Sequence, residues 1–193
     1  MGISDSLRRA RRHSGESLRS IAARAGVGAG NLSAIENGHR DPTTSTVDRI
    51  AFAVGIEFIP VATRGRTSAA RAADQIAGAE ERGEHPLAYR RFIQLADDLA
   101  SVDPVTRVLL AAEAPTDYAS RWLDAIAAVV ELRLREVSAP VPSWALERAG
   151  APDSRWEPQR GARPLPVSAD PAEVPPEFLR RGVVIECGEL ASV

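Results

Sequence analysis

Ser17-Leu18-Arg19-Ser20-Ile21-Ala22-Ala23-Arg24-Ala25-Gly26-Val27 and, three residues on, Asn31-Leu32-Ser33-Ala34-Ile35-Glu36-Asn37-Gly38-His39-Arg40-Asp41-Pro42 decide how the first third of this chain folds. Ser17 is a good helix N-cap, because its hydroxyl can accept from the open amides of a first turn. Leu18, Ile21, Ala22 and Ala25 then recur at helical spacing, and Gly26 supplies the left-handed residue that ends a helix. After a tight turn at Gly26-Val27, the stretch from Gly28 to Asn37 reads as another helix. Leu32 and Ile35 share its inner face, Asn31, Ser33 and Ala34 lie off it, and Asn37-Gly38 ends it with turn chemistry.

Working outward, Leu7 and Ala10 share one face of an earlier helix ringed by Arg8, Arg9, Arg11 and Arg12, which stops at Ser14-Gly15. Downstream, Asp41-Pro42-Thr43-Thr44 opens a fourth helix, whose stripe is Val47, Ile50, Ala51 and Val54 and whose stop is Gly55. The period then changes. Ile56, Phe58, Ile59 and Val61, with Pro60 among them, predict a short β segment.

Residues 1–62 therefore form one expected domain, 63–68 a linker containing Arg64-Gly65-Arg66, and 69–193 a second domain. From Ala69 to Ala139 the pattern is helical: an Ala-rich piece around Ile76, a run from Leu87 to Leu99, a third after Asp103-Pro104, and a long one from Tyr118 to Val137. In that last run Trp122, Ile126, Val129, Val130 and Leu134 are spaced as a buried stripe. Beyond Pro140, prolines such as Pro142, Pro152, Pro158, Pro164, Pro166, Pro171, Pro175 and Pro176 forbid a long helix. Trp144, Trp156, Phe178 and Val183-Val184-Ile185 are nevertheless too apolar for a disordered tail, so an irregular, ordered wrap over the preceding helices is expected. The predicted class is mainly α, with an irregular Pro-rich ending.

Composition narrows the functional classes. No apolar run approaches the length of a bilayer span, and the N-terminus carries Ser, Asp and Arg in place of a secretory apolar stretch, so a cytoplasmic protein without membrane contact is expected. Cys187 is the single cysteine, which rules out an intrachain disulfide. His13, His39 and His85 lie too far apart to suggest a metal site and read as surface residues; no metal or cofactor is expected. The 24 basic residues are all Arg. Up to Arg66 there are ten Arg against six acids, and beyond it fourteen against twenty. A basic head on an acidic body is the distribution expected when only the head meets a polyanion.

The two quoted segments together resemble the Cro/C1-type (XRE family) helix-turn-helix regulators over about the first sixty residues, most specifically in Leu32-Ser33-Ala34-Ile35-Glu36-Asn37-Gly38 followed by Arg40 and Pro42. The resemblance implies a lambda-repressor-like domain of four to five helices that binds double-stranded DNA as a homodimer, with its third helix in the major groove. By position it implies that Gly28, Ala29, Gly30, Asn31, Ser33 and Ala34 face the groove, with Asn31 and Ser33 the ones able to hydrogen-bond base edges. Ser17, Asn37, His39 and Arg40 match phosphate-gripping positions, to which Arg19 or Arg24 adds. Leu18 departs from the polar residue usual there. Arg11 and Glu36 match an internal ion pair.

Dimerisation is expected through Ile56, Phe58, Ile59 and Val61, paired with a symmetry mate as a small ribbon. For the second domain two roles stay open. It either senses a ligand for a repressor of a palindromic operator, or neutralises a toxin protein as the partner-binding half of an antitoxin that represses its own operon. The closing segments, Pro142-Ser143-Trp144, Trp156 and Pro175 to Ile185 with Leu190, weakly resemble antitoxin-like partners of nucleotidyltransferase-like toxins, which would place the docking surface on the Trp122 stripe and the closing apolar strand. No enzyme is expected: Asp97-Asp98 and Asp117 lack a His, Lys or metal-ligand partner and read as helix-surface carboxylates, and Cys187 reads as a small apolar residue.

Overall fold

The computed structural model describes residues 2–116, 120–159 and 169–190, so Asp117, Tyr118, Pro164 and Pro166 lie outside the described residues. The chain is mainly helical and divides into two compact units, Met1–Pro60 and Val61–Val193. None of its helices is long and apolar enough to cross a membrane, among the described residues.

The first unit is built from α1 (Ile3–Ser14), α2 (Leu18–Ala25), α3 (Ala29–Glu36) and α4 (Thr44–Val54). Each boundary has a local cause. Ser17 accepts from the Ser20 amide and Thr43 from the Thr46 amide, while Gly15, Gly26 and Gly55 end α1, α2 and α4 in the left-handed region. Leu7, Ile21, Ala22, Ala25, Leu32, Ile35, Ile50, Ala51 and Val54 form one core, and Val27, Ala29 and Ile56 pack on its rim.

Residues 56–61, all described, pair with no strand of their own chain; the ribbon expected of them takes its second strand from another copy. The Ile56 amide instead donates to Ala51 O (3.0 Å) and closes α4. Ile56 tucks its side chain against the core, Phe58 and Ile59 stay exposed, and the half-buried Val61 falls in the second unit.

The second unit contains α5 (Ala69–Glu81), α6 (His85–Ala100), α7 (Pro104–Ala112), α8 (Arg121–Arg135), and two single turns, α9 (Ser143–Leu146) and α10 (Pro176–Leu179). Ala69, Ala72, Ala73 and Ala79 are small buried side chains that let α5 lie close along α6, and Ile76 is buried on the same face. α8 sits at the centre, against α5, α6, α7, α9 and α10. The stripe expected there is too narrow: Leu123, Ala125, Ala127 and Ala128 are buried as well as Trp122, Ile126, Val129, Val130 and Leu134, because neighbours cover the helix nearly all round. Each large apolar side chain so buried stabilises the unit by about 1.5–3 kcal/mol.

The Pro-rich ending wraps this core. Trp156 meets Trp122 edge-on at 5.0 Å, Phe178 meets Phe92 at 6.4 Å, and the Trp144 indole donates to Ala111 O (3.0 Å). Val183, Val184 and Ile185 are buried inside, joined to Trp156 by an isolated parallel bridge at Val183. The surface expected to dock a partner, the Trp122 stripe and the closing apolar segment, is therefore core of this unit. Its apolar area is covered by the chain itself.

Charges are buried with partners. Glu131, fully buried, meets Arg181 (2.8 Å), Arg135 (2.7 Å) and Arg180. Arg181, equally buried, also donates to Arg148 O, Glu177 O and Ala145 O, so one guanidinium ties α8, α9 and α10 together. Asp98 is not the helix-surface carboxylate expected. It is buried and accepts from the Thr67 amide (2.7 Å), Gln94 (3.0 Å) and Arg66 (3.3 Å), fastening the chain just before α5. His85 is half-buried between Glu80 (2.8 Å) and Pro158 O (2.9 Å), in contrast to the surface position expected, and Cys187 is exposed where a small apolar residue was expected.

Gly182 marks the tightest crossing in the wrap. Its φ is +70°, and a Cβ there would stand 2.1 Å from Ala151 O. Gly182→Ala should destabilise the second unit by about 3 kcal/mol, combining left-handed strain with overpacking. Gly83→Ala, at φ +71° with open space around it, should lose only about 1 kcal/mol. Urea midpoints for the two variants check this, and equal losses would contradict the crossing.

Candidate nucleic-acid interface

Gly26 sets the geometry. At φ 63° and ψ 37° it turns the chain out of α2, and the Val27 amide closes back on Ala22 O (2.9 Å). α3 therefore starts only a few residues after α2 ends, and the small Ala22 and Ala25 let the two helices approach. Leu32 (0% exposed) and Ile35 (1%) plug α3 into the core, which decides which of its sides is free. At about 100° per residue, Gly30, Ala34 and Asn37 point away from Leu32, with Asn31 and Ser33 on the two flanks. Gly28 and Gly30 are exposed, and Asn31, Ser33 and Ala34 half-exposed.

The free face is short in side chains and open in backbone. Gly28 is the N-cap of α3 and has no side chain to satisfy the first-turn amides, which stay available to an acceptor. Ala29 is the exception among the expected groove residues, because its methyl packs on the core rim. Asn31 is held with Oδ1 buried and without a hydrogen-bond partner, so only the other half of its amide is offered outward. Bidentate pairing with adenine needs both halves.

Around this face the expected phosphate residues divide. Arg19, His39 and Arg40 are exposed and make no side-chain bond among the described residues. Ser17 already accepts from the Ser20 amide (3.1 Å), although its own proton remains free to donate. Asn37 is engaged internally: Nδ2 donates to Ser33 O (2.8 Å) and Oδ1 accepts from Arg8 (3.2 Å). Arg24 is held by Glu16 and Ala53 O, joining α2 to the end of α4, which takes it away from any phosphate. Arg24 and Ser20 together hold the Glu16 carboxyl below the usual glutamate range.

The structure brings Arg11 and Glu36 together in a two-pronged pair, both contacts 2.7 Å, with Glu36 buried. The hydrogen bond from Arg11 to this carboxylate raises the guanidinium pKa against the opposing effect of burial. The bond clamps the last residue of α3 onto α1. Sequence reasoning missed Arg8 on Asn37 and Arg24 on Ala53 O, since both depend on which helices end side by side. It also missed Phe52, 85% exposed on α4. Of the expected dimer residues, Ile59 is 70% and Phe58 38% exposed.

Residues 3–57 match a protein-family model described as a helix-turn-helix domain. No curated protein and no solved structure matches the chain. The matched residues span α1 to α4, and a helix-turn-helix domain supports DNA binding and transcription regulation.

The buried, unpaired Oδ1 of Asn31 separates stability from binding. Asn31→Ala removes that atom and places a better helix former in α3, so the folded state should hold or gain stability, by up to about 1 kcal/mol. Affinity for the preferred DNA site should fall by about 1 kcal/mol, the low end for a base contact. Thermal unfolding and fluorescence anisotropy on one preparation check both directions; a parallel loss of stability would contradict the placement.

Proposed function

We propose that the chain is a sequence-specific transcriptional regulator of the Cro/C1 type (XRE family), acting in the cytoplasm as a homodimeric repressor that places α3 in the major groove at each half of a palindromic operator. The observation that carries this reading is the burial of Leu32 and Ile35, which leaves the opposite side of α3 free beside the unpaired Arg19, His39 and Arg40. Arg19 before α3 and Arg40 after it, with the open amides of the α3 N-terminus between them, are what a pair of duplex backbones requires. With so few side chains for base edges, specificity in this reading comes from backbone approach, Ala34 against thymine methyl groups and DNA shape. The reading requires no catalytic step and no cofactor.

Dimerisation is supported by Phe58 and Ile59, which stand exposed on the first unit with no strand beside them, and by Phe52. A second copy is the occupant that operator symmetry demands. The antitoxin alternative asks for a toxin-docking surface in the second unit, and the segments first assigned to it are internal. Among the described residues, nothing else in that unit favours this reading over the repressor.

Arg40→Ala should weaken binding to all duplexes alike and lower the slope of log affinity against log salt by about 1, measured by anisotropy on DNA from upstream of the protein's own gene. Unchanged affinity would contradict the interface. Ile59→Glu with Phe58→Glu should yield monomers in sedimentation velocity and lose operator binding, while helical content is retained; an intact dimer would move the two-fold face elsewhere.

A further inference from the structure

The second unit opens with a cavity of about 520 Å³ lined by Val61, Thr63, Arg64 and Arg66 on one side and by Ser101, Asp103 and Thr106 on the other. Its size is that of a small-molecule site. Thr63 to Arg66 form a tight turn, the Arg66 amide donating to Thr63 O (2.9 Å), with φ of 51° at Arg64 and 82° at Gly65. Glycine or asparagine is the ordinary occupant of such a position, and an arginine adopts it at a cost. Strain of that kind is a reason to ask what the side chain does.

The hydrogen bonds already made at the cavity wall define the ligand. The carboxylates at the cavity wall are already engaged. Asp103 receives the Val105 and Thr106 amides (both 3.1 Å) and the Thr106 hydroxyl (2.6 Å) as the cap of α7. Asp98, behind Arg66, receives three donors, and the Ser101 hydroxyl proton goes to Asp98 O (3.1 Å). What remains is a set of donors: the Arg64 guanidinium, which has no partner among the described residues, the Arg66 N–H groups not facing Asp98, and the Thr63 hydroxyl. Asp98 is paired with Arg66, and the Asp103 carboxylate, itself still charged, spends its lone pairs on the first turn of α7, so Arg64 is left without an ion-pair partner among the described residues. Free donors beside an unpaired guanidinium suit an oxyanion.

We propose that this cavity binds a small organic anion, a carboxylate or phosphate ester, through Arg64, Arg66 and Thr63. The turn follows the helix-turn-helix unit directly in sequence, and the site itself does not rest on the DNA-binding reading.

The test uses the full chain and inorganic phosphate as probe, against chloride at equal ionic strength. Arg64→Asn is the informative variant, because asparagine tolerates the left-handed turn while removing the guanidinium. Phosphate should raise the wild-type melting temperature by roughly 2 to 4 °C more than that of R64N, and titration calorimetry should show at least a roughly tenfold weaker dissociation constant in R64N. The general stabilising effect of phosphate is common to both proteins and cancels. Equal responses overturn the site. A duplex of arbitrary sequence separates the two sources of phosphate: R64N should bind it as wild type does. If R64N instead loses duplex affinity with a salt slope reduced by about 1, the turn grips DNA backbone and the small-anion site is overturned. Phosphate binding by a wild-type chain that binds no DNA leaves the site standing and removes the proposed function.

Discussion

Burial of Leu32 and Ile35 is the constraint on which the functional geometry depends. α3 has eight residues and no capping side chain at its start, so it would not hold its shape alone in water. Two apolar side chains inserted into the core of the first unit fix both its conformation and its rotation about its own axis. The opposite side is then exposed by default, and the left-handed Gly26 makes the chain arrive there within a few residues of leaving α2. Arg11 on Glu36 secures the far end with a buried carboxylate. In the proposed reading, function follows from this arrangement more than from individual reactive groups: the surface offered to a duplex is largely backbone, small side chains and flanking arginines.

The second unit solves a different problem. α8 is covered on nearly every side, yet carries Asp124 and Glu131, whose burial is tolerable only with guanidinium partners in place. Arg121 and Arg148 meet Asp124, and Arg181 meets Glu131. Arg121 also donates to Arg181 O and Gly182 O and stands over the Trp156 ring at 5.8 Å. These contacts act on the irregular ending, which has few ladder hydrogen bonds of its own. Positions far apart in sequence are thereby fixed on one helix, and the aromatic side chains close over it.

Legibility in the sequence followed the range of the interaction. Caps at Ser17 and stops at Gly26 and Gly55 are local events, so α2 and α4 could be placed almost to the residue, and the helical period of Leu32 and Ile35 identified the free side of α3. Long-range partners left no such trace. Asp98 reads as a surface carboxylate until Thr67 and Arg66 are seen to close on it, and Arg24 reads as a phosphate ligand until Glu16 and Ala53 O claim it. Asn37 likewise looks free but caps α3. Residues 56–61 make no ladder within the chain, because the strand expected beside them belongs to a second copy, and periodicity reports only which side chains are apolar. Arg64 could be flagged only once its backbone was known.

In the proposed reading a duplex touches the outward side of α3. Backbone amide chemical shifts of the full chain, followed while a short duplex is added at low salt, test it most directly, because the backbone contributes most of that surface. Shifts concentrated at Gly28 to Ala34 and at His39 and Arg40, with the amides of α5 and α6 unmoved, are the expected result. Saturable shifts confined to the second unit, with α3 unchanged, would contradict it.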